Sequence, residues 1–270
     1  MGTSKDYLME SDAEALRLDM KTDPRLVEIQ ARWSGVAAGM RIADLGCGSG
    51  KTTFILNRLS QPGAETIGGD IAPQRVRFAR SNYSAAGLRF CQMDIRQPLE
   101  EIGLFDLVWI RFVLEYYRAE SFEIVKNIAR IVKPGGILCL IDLDHNCLNH
   151  FGLPLRLESA LKGVMQALEK TAGFDPYVGR KLYAYLYDLG FGDIAVDMAA
   201  HHLIYGELKE ADAFNWTKKV EVAACNSGYT FAEYEKGFEG FRAEFEREFI
   251  KAPRRFTYTP VITCRGRRLV

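Results

Sequence analysis

Between residues 41 and 144 the chain changes rhythm repeatedly between apolar runs and amphipathic stretches. "RIADLGC" is a short run with few polar positions, and "AETIGGDI", "LRFCQMD", "FDLVWIRF" and "ILCLIDLD" repeat the type. Such runs, bounded by turn residues, predict strands. Between them lie segments of helical spacing: about Lys51 to Leu59, a stretch opening at Pro73, and "SFEIVKNIARIV". Pro73 suits a first helical turn, where a missing N–H leaves nothing unsatisfied. "KPGG" stops the third of these helices. Buried-type strands separated by helices predict a parallel sheet covered on both faces.

From Phe151 to Leu189 the pattern is helical again. "DIAVDMAAHHLIY" (Asp193 to Tyr205) and "RFTYTPVITCRG" predict two further strands, with a helical block at about Glu207 to Lys251 between them. A helical segment at about Ser11 to Ser34 precedes the first strand. There is no internal repeat and no low-complexity segment. The expected fold class is α/β, a doubly wound, Rossmann-like, seven-stranded sheet with added helices. It forms one domain over residues 1–270, with an N-terminal helical cover (1–38), a cofactor-binding half (39–144), a substrate-side half (145–206 and 253–270) and a helical insertion (207–252).

The glycine-rich turn after the first strand reads "GCGSGKTT". A P-loop needs GxxxxGK[ST], long enough to wrap a phosphate with backbone N–H groups. Counting back from Gly50-Lys51-Thr52, the first glycine falls on Leu45. A P-loop-like nucleotide hydrolase using Lys51, with Asp142 as magnesium ligand, stands as an alternative off pattern. The dinucleotide turn GxGxxG also fails by one residue, since Gly46, Gly48 and Gly50 alternate. Further along, Asp70 ends the second strand, where a carboxylate can accept from ribose hydroxyls. Asp94 ends the third, within reach of an adenine amino group. Three strand ends at one sheet edge make one crevice.

Composition removes other classes. Lys+Arg and Asp+Glu both number 35, so no nucleic-acid or membrane surface is expected. The six cysteines form no CxxC pair, and no metal site is expected. The start "MGTSKDYLMES" lacks the apolar core of a signal peptide, and no apolar run approaches a membrane span. The expectation is a cytoplasmic protein with reduced thiols; a homodimer is left open.

The ordered series "IADLGCGSG", "GGDI", "CQMDI", "FDLVWIRFVLEY" and "IVKPGGILCLIDLD" resembles the class I S-adenosylmethionine-dependent methyltransferases. The resemblance covers about Arg41 to Asp144. It implies S-adenosylmethionine as cofactor, S-adenosylhomocysteine as product and a small-molecule acceptor. By its pattern Asp44, Gly46, Gly48 and Gly50 would hold the methionine part. Asp70 would bind the ribose, with Ile71 against the adenine face; Asp94 would bind the adenine amino group, with Ile95 nearby. Arg111, just after the fourth strand, would present backbone to the cofactor's amino end and border the substrate. "DYLMESDAEALRL" looks like the start of some small-molecule members, where Tyr7 and Arg17 would reach the cofactor's carboxylate. Tyr116 stands where the family often has His.

Arg111 and His145 are the catalytic candidates, His145 as a base just after the fifth strand. His201 and His202 fall on opposite faces of a strand and read as structural. Phe231, Tyr234, Phe238, Phe241, Phe245 and Phe249, at steps of three and four, predict one helix face. A non-catalytic, cofactor-binding protein of the same fold is the remaining alternative.

Overall fold

The computed structural model describes residues 14–269. Five strands, β1 (Arg41–Leu45), β2 (Glu65–Asp70), β3 (Leu88–Gln92), β4 (Phe105–Arg111) and β5 (Val132–Leu143), are parallel and ordered β3-β2-β1-β4-β5. The order reverses between β1 and β4, which opens a crevice at the carboxyl ends of these strands. Three more strands follow in sequence, β6 (His150–Phe151), β7 (Phe191–Ile204) and β8 (Phe256–Arg268). β8 lies antiparallel beside β5, and both β6 and β7 pair antiparallel with β8. The seven expected strands are present, and the two-residue β6 makes the sheet eight-stranded.

The N-terminal helical segment is two helices, α1 (Glu14–Lys21) and α2 (Pro24–Ser34). Pro24 cannot continue a helix but opens one, and the Asp23 carboxylate accepts from Arg25 N–H at 2.9 Å as its N-cap. In the parallel half, α3 (Lys51–Leu59), α4 (Pro73–Asn82) and α5 (Ser121–Ala129) connect the strands. Beyond it come α6 (Leu155–Thr171), α7 (Leu182–Asp188), α8 (Glu210–Ser227) and α9 (Gly237–Phe245). The single helical block expected at 207–251 is therefore broken. α8 ends at Gly228, whose φ of +70° is left-handed, and Phe231 turns the chain at φ +52°.

The aromatic series is corrected accordingly. Only Phe238, Phe241 and Phe245 lie on α9; Phe249 sits in a π-turn after it and Phe231 and Tyr234 precede it. Phe231, Tyr234, Phe241, Phe245 and Phe249 nevertheless bury together, with Trp216 of α8 and Leu161 and Val164 of α6. This forms a second core, separate from the sheet core of Leu45, Val108, Ile110, Leu138 and Leu140. Central-strand residues such as Val108 and Trp109 are fully buried because helices or other elements cover both faces.

Candidate cofactor and acceptor site

A cavity of about 590 Å³ lies between the two cores. Its size falls within the ~300–1,000 Å³ usual for small-molecule sites. One end is the sheet edge, with Asp44 near the end of β1 and Gly46 and Gly48 just after it, Asp70 ending β2 and Ile71 following, and Asp94 and Ile95 after β3. The other end is walled by α6, α8 and α9 through Val164, Met165, Val220 and Phe241, and α1 adds Arg17, Leu18 and Lys21. Of the residues expected from sequence, Tyr7 lies outside the described residues.

The glycine turn divides its labour. Gly46, Gly48 and Gly50 have φ of +77°, +55° and +86°, the region that disfavours any Cβ. A Cβ on Gly50 would stand 2.6 Å from Ala79 Cβ and 2.9 Å from the Phe90 ring, and one on Gly46 would collide with Val113. Gly50 does not line the cavity; its expected cofactor contact is corrected to a packing role against α4 and β3. Around Gly48 only the Leu18 tip comes near, at 3.2 Å, so its open side is where a ligand can approach backbone. Gly46 and Cys47 N–H groups both donate to Gly69 O, at 2.8 and 3.0 Å, which ties the turn to β2.

Asp44 is buried and accepts from Thr53 Oγ1 at 2.6 Å. Burial pushes its pKa up to about 7, against the opposing pull of the Thr53 hydroxyl. Asp70 is also buried, and its carboxylate is already engaged. Oδ2 accepts from Gly48 N–H at 2.9 Å; Oδ1 accepts from Ala72 N–H at 3.0 Å and from Arg75 Nε at 3.0 Å. A carboxylate has about four acceptor sites, so one stays open without rearrangement. Binding both ribose hydroxyls requires the Arg75 guanidinium to yield one more. Asp94 is forked by Arg96, with Nη2–Oδ2 at 2.7 Å and Nε–Oδ1 at 2.9 Å. These bonds hold the Asp94 carboxyl below its usual pKa, so it stays an ionised acceptor. Sequence reasoning passed over Arg75 and Arg96, although each follows its aspartate closely enough to be read as a partner.

Arg111 is the last residue of β4 rather than the first after it. Its Nε donates to Gln30 Oε1 of α2 at 3.1 Å, and its guanidinium lies 4.0 Å from the Phe112 ring centroid. Burial lowers it to about 10, which leaves it charged near neutral pH. Arg17 lines the cavity and is forked to Glu14 at 2.7 Å through both Nε and Nη2. Tyr116, in the place where the resemblance led one to expect His, also lines it.

His145 is corrected. It is absent from the cavity wall, at φ +48°, with its ring edge-on to Tyr177 at 5.2 Å. His201 lines the cavity instead. The expected opposite placement of His201 and His202 fails because β7 bulges there: the register shifts between His201 and Ile204, and His202 takes φ +51°. The two rings consequently stand 3.9 Å apart. Sequence reasoning also missed Lys21 and Lys219; Lys219 follows Trp216 by three on a largely apolar helix face, which was the available signal.

The residues of the nucleotide-hydrolase alternative point elsewhere. Lys51 Nζ donates to Asp19 O at 2.8 Å and does not line the cavity. Asp142 is fully buried and accepts from Leu143 N–H at 2.9 Å and Glu115 N–H at 3.3 Å. Burial and the Glu115 charge raise its pKa well above the carboxylate range. A fully buried carboxyl off the cavity wall, already engaged by two backbone N–H groups, is a poor magnesium ligand, and the site does not support that alternative. Among the described residues no cluster of three or more His, Cys, Asp or Glu could hold a metal, and no helix is long and apolar enough to cross a membrane.

Taken together, the switch-point crevice, the alternating glycines and two strand-end aspartates define a doubly wound α/β protein built to hold a nucleoside-bearing ligand. Residues 43–140 match the family model of a methyltransferase domain. The demethylmenaquinone methyltransferase of Thermus thermophilus is 33% identical over 123 residues, 44% of this chain and 54% of that protein. The chain spans about half the length of the curated relatives it matches. The solved structure of Haemonchus contortus phosphoethanolamine N-methyltransferase 2 in complex with S-adenosyl-L-methionine aligns with a TM-score of 0.60 at 13% identity, over 100% of this chain and 61% of that one. The (4+2)-cyclase SpnF aligns with a TM-score of 0.55 at 18% identity, over 92% of this chain and 82% of that one. Residues 43–140 are thus similar to S-adenosylmethionine-dependent methyltransferase domains, and S-adenosylmethionine is the cofactor such domains hold.

Proposed function

We propose that this protein transfers a methyl group to a small-molecule acceptor, with S-adenosylmethionine held along the sheet edge of the cavity. The observation that carries the reading is the single cavity that joins Gly48, Asp70 and Asp94 to an apolar wall from α6 and α8. The donor set fits the cofactor: open backbone at Gly48 for the methionine part, and carboxyl acceptors at Asp70 and Asp94 for the nucleoside. When bound, the cofactor supplies a methyl group already activated on a sulfonium.

The work left to the chain is alignment and exclusion of water. Asp44, fixed by Thr53, and Gly48 N–H, fixed by Asp70, make the turn rigid before any ligand arrives. Proximity and orientation supply up to ~7–11 kcal/mol of barrier in favourable cases. Val164, Met165, Val220 and Phe241 keep water from the acceptor end.

The test is transfer of labelled methyl from S-adenosylmethionine to a broad small-molecule panel, with label expected in at least one product. Stoichiometric cofactor binding with no transfer to any compound would favour a second reading, a cofactor-binding protein with another activity. The likeness to a cyclase of this fold keeps that reading in view, since a fold does not fix a reaction.

A further inference from the structure

The acceptor end of the cavity carries a charge imbalance that methyl transfer alone does not use. Lys21, Arg111 and Lys219 line it, and among the described residues none has a carboxylate within ion-pair distance. Lys219 Nζ donates instead to Asn146 Oδ1 at 2.7 Å, and Arg111 to the neutral Gln30. Glu115, the acid acting on Lys21, is buried and accepts from Asn146 Nδ2 at 2.6 Å, while Asp44, Asp142 and Asp23 act on Arg111 at longer range. Lys21 is lowered to about 7, by burial first and then by Lys219, Arg17 and Arg111, with Glu115 opposing. His201 stands in the same field: burial, then His202, Lys21, Arg111 and Lys219 all disfavour its protonation. Its Nε2 is buried with no hydrogen-bond partner among the described residues.

Desolvated cations without counter-charges are costly unless a ligand supplies the charge. The cofactor does not supply enough. It brings one carboxylate but also an ammonium and a sulfonium, so it adds net positive charge. Once its carboxylate has taken one cation, two remain beside an unsatisfied imidazole. On the far side, Leu161, Val164, Met165 and Leu168 present one face of α6, an apolar wall.

We propose that the acceptor is an amphipathic acid, with an ionised oxyacid group held by Lys219, Lys21 and His201 and an apolar body laid against α6. This rests on the methyltransferase reading of the cavity and deepens it to a substrate class. An anion at this point relieves the mutual repulsion of Lys21 and Lys219 and gives His201 Nε2 a partner. A neutral analogue of the same shape leaves all three as they are.

The test is calorimetric titration of the full chain with matched probes, with and without saturating S-adenosylhomocysteine. The probes are 1-naphthoate against 1-naphthamide, decanoate against decanamide, and decyl phosphate, which separates carboxylate from phosphate recognition. At least one acid is expected to bind ten times or more tightly than its neutral partner. Lys219→Met should remove that preference and Lys219→Arg should keep it. Lys21→Met, away from the Asn146 hydrogen bond, should weaken it independently. The proposal is overturned if acid and amide bind alike, if no acid binds, or if both methionine variants keep the full preference. Failure of S-adenosylhomocysteine to bind would instead count against the cofactor reading, whatever the acid-to-amide ratio.

Discussion

The two ends of the cavity are built on opposite rules. At the sheet edge two of the three acids are neutralised by a residue close in sequence, Asp70 by Arg75 and Asp94 by Arg96, while Asp44 is held by the Thr53 hydroxyl. Left-handed backbone there is confined to glycines, at Gly46, Gly48 and Gly50. At the acceptor end Lys21, Arg111 and Lys219 lack carboxylate partners among the described residues, and left-handed backbone falls not only on Gly173 but also on the side-chain-bearing Phe112 and Cys147. Such conformations are uncommon outside glycine and gather where surrounding packing forces them. The sheet edge is thus a settled device for a constant ligand. Under the proposal above, the acceptor end leaves its charge for the acceptor to balance.

The largest effect tests the acceptor end's own core. Phe241→Ala should cost about 3–5 kcal/mol in chemical denaturation, because the ring is buried among Phe231, Phe245 and α6. A loss below about 1 kcal/mol would mean the second core does not support the cavity.

Asp44 tests the sheet edge by pH. The folded protein holds the Asp44 proton up to about 7, whereas the unfolded chain releases it near the ordinary aspartate value of 3.8. The folded state binds more protons between those values, so this group's contribution to stability falls as pH rises through that window. Asp44→Asn removes the titration and leaves an acceptor for Thr53. It should match wild type near pH 4 and exceed it above pH 7, by on the order of 4 kcal/mol. A variant no more stable than wild type at high pH would show that Asp44 does not carry this penalty.

The glycines then separate packing from binding. Gly50→Ala should cost about 2 kcal/mol, from the left-handed φ of +86° and the contact with Ala79 and Phe90. Gly48→Ala should cost about 1 kcal/mol, since only the Leu18 tip must move, yet it should weaken cofactor binding more than its stability loss explains. Equal binding losses per unit of stability in both variants would erase the distinction between the two positions.

Legibility in the sequence follows the same division. The parallel half could be read because its signals are local: an apolar run, a glycine turn, then an aspartate at a strand end. β2 and α4 lie where "GGDI" and Pro73 put them. Asp70 both closes the helix entry through Ala72 N–H and faces the cavity. The acceptor end depends on long-range register. The bulge that brings His201 to His202 arises from how β7 pairs with β8 some sixty residues later, and alternation alone predicts the reverse. Lys21 and Lys219 meet only because α1 and α8, nearly two hundred residues apart, close on one cavity. The break at Gly228 and Phe231 was hidden because the aromatic spacing runs straight through it.

The most direct test of the account is a calorimetric titration of wild type and Asp70→Asn with S-adenosylhomocysteine near neutral pH. Asp70→Asn keeps the side chain's size and removes the charge that Gly48 N–H, Ala72 N–H and Arg75 now share. The prediction is one site per chain in wild type and affinity at least tenfold weaker in the variant, about 1.4 kcal/mol or more. A folded wild type that does not bind, or equal affinity in the two proteins, would contradict it.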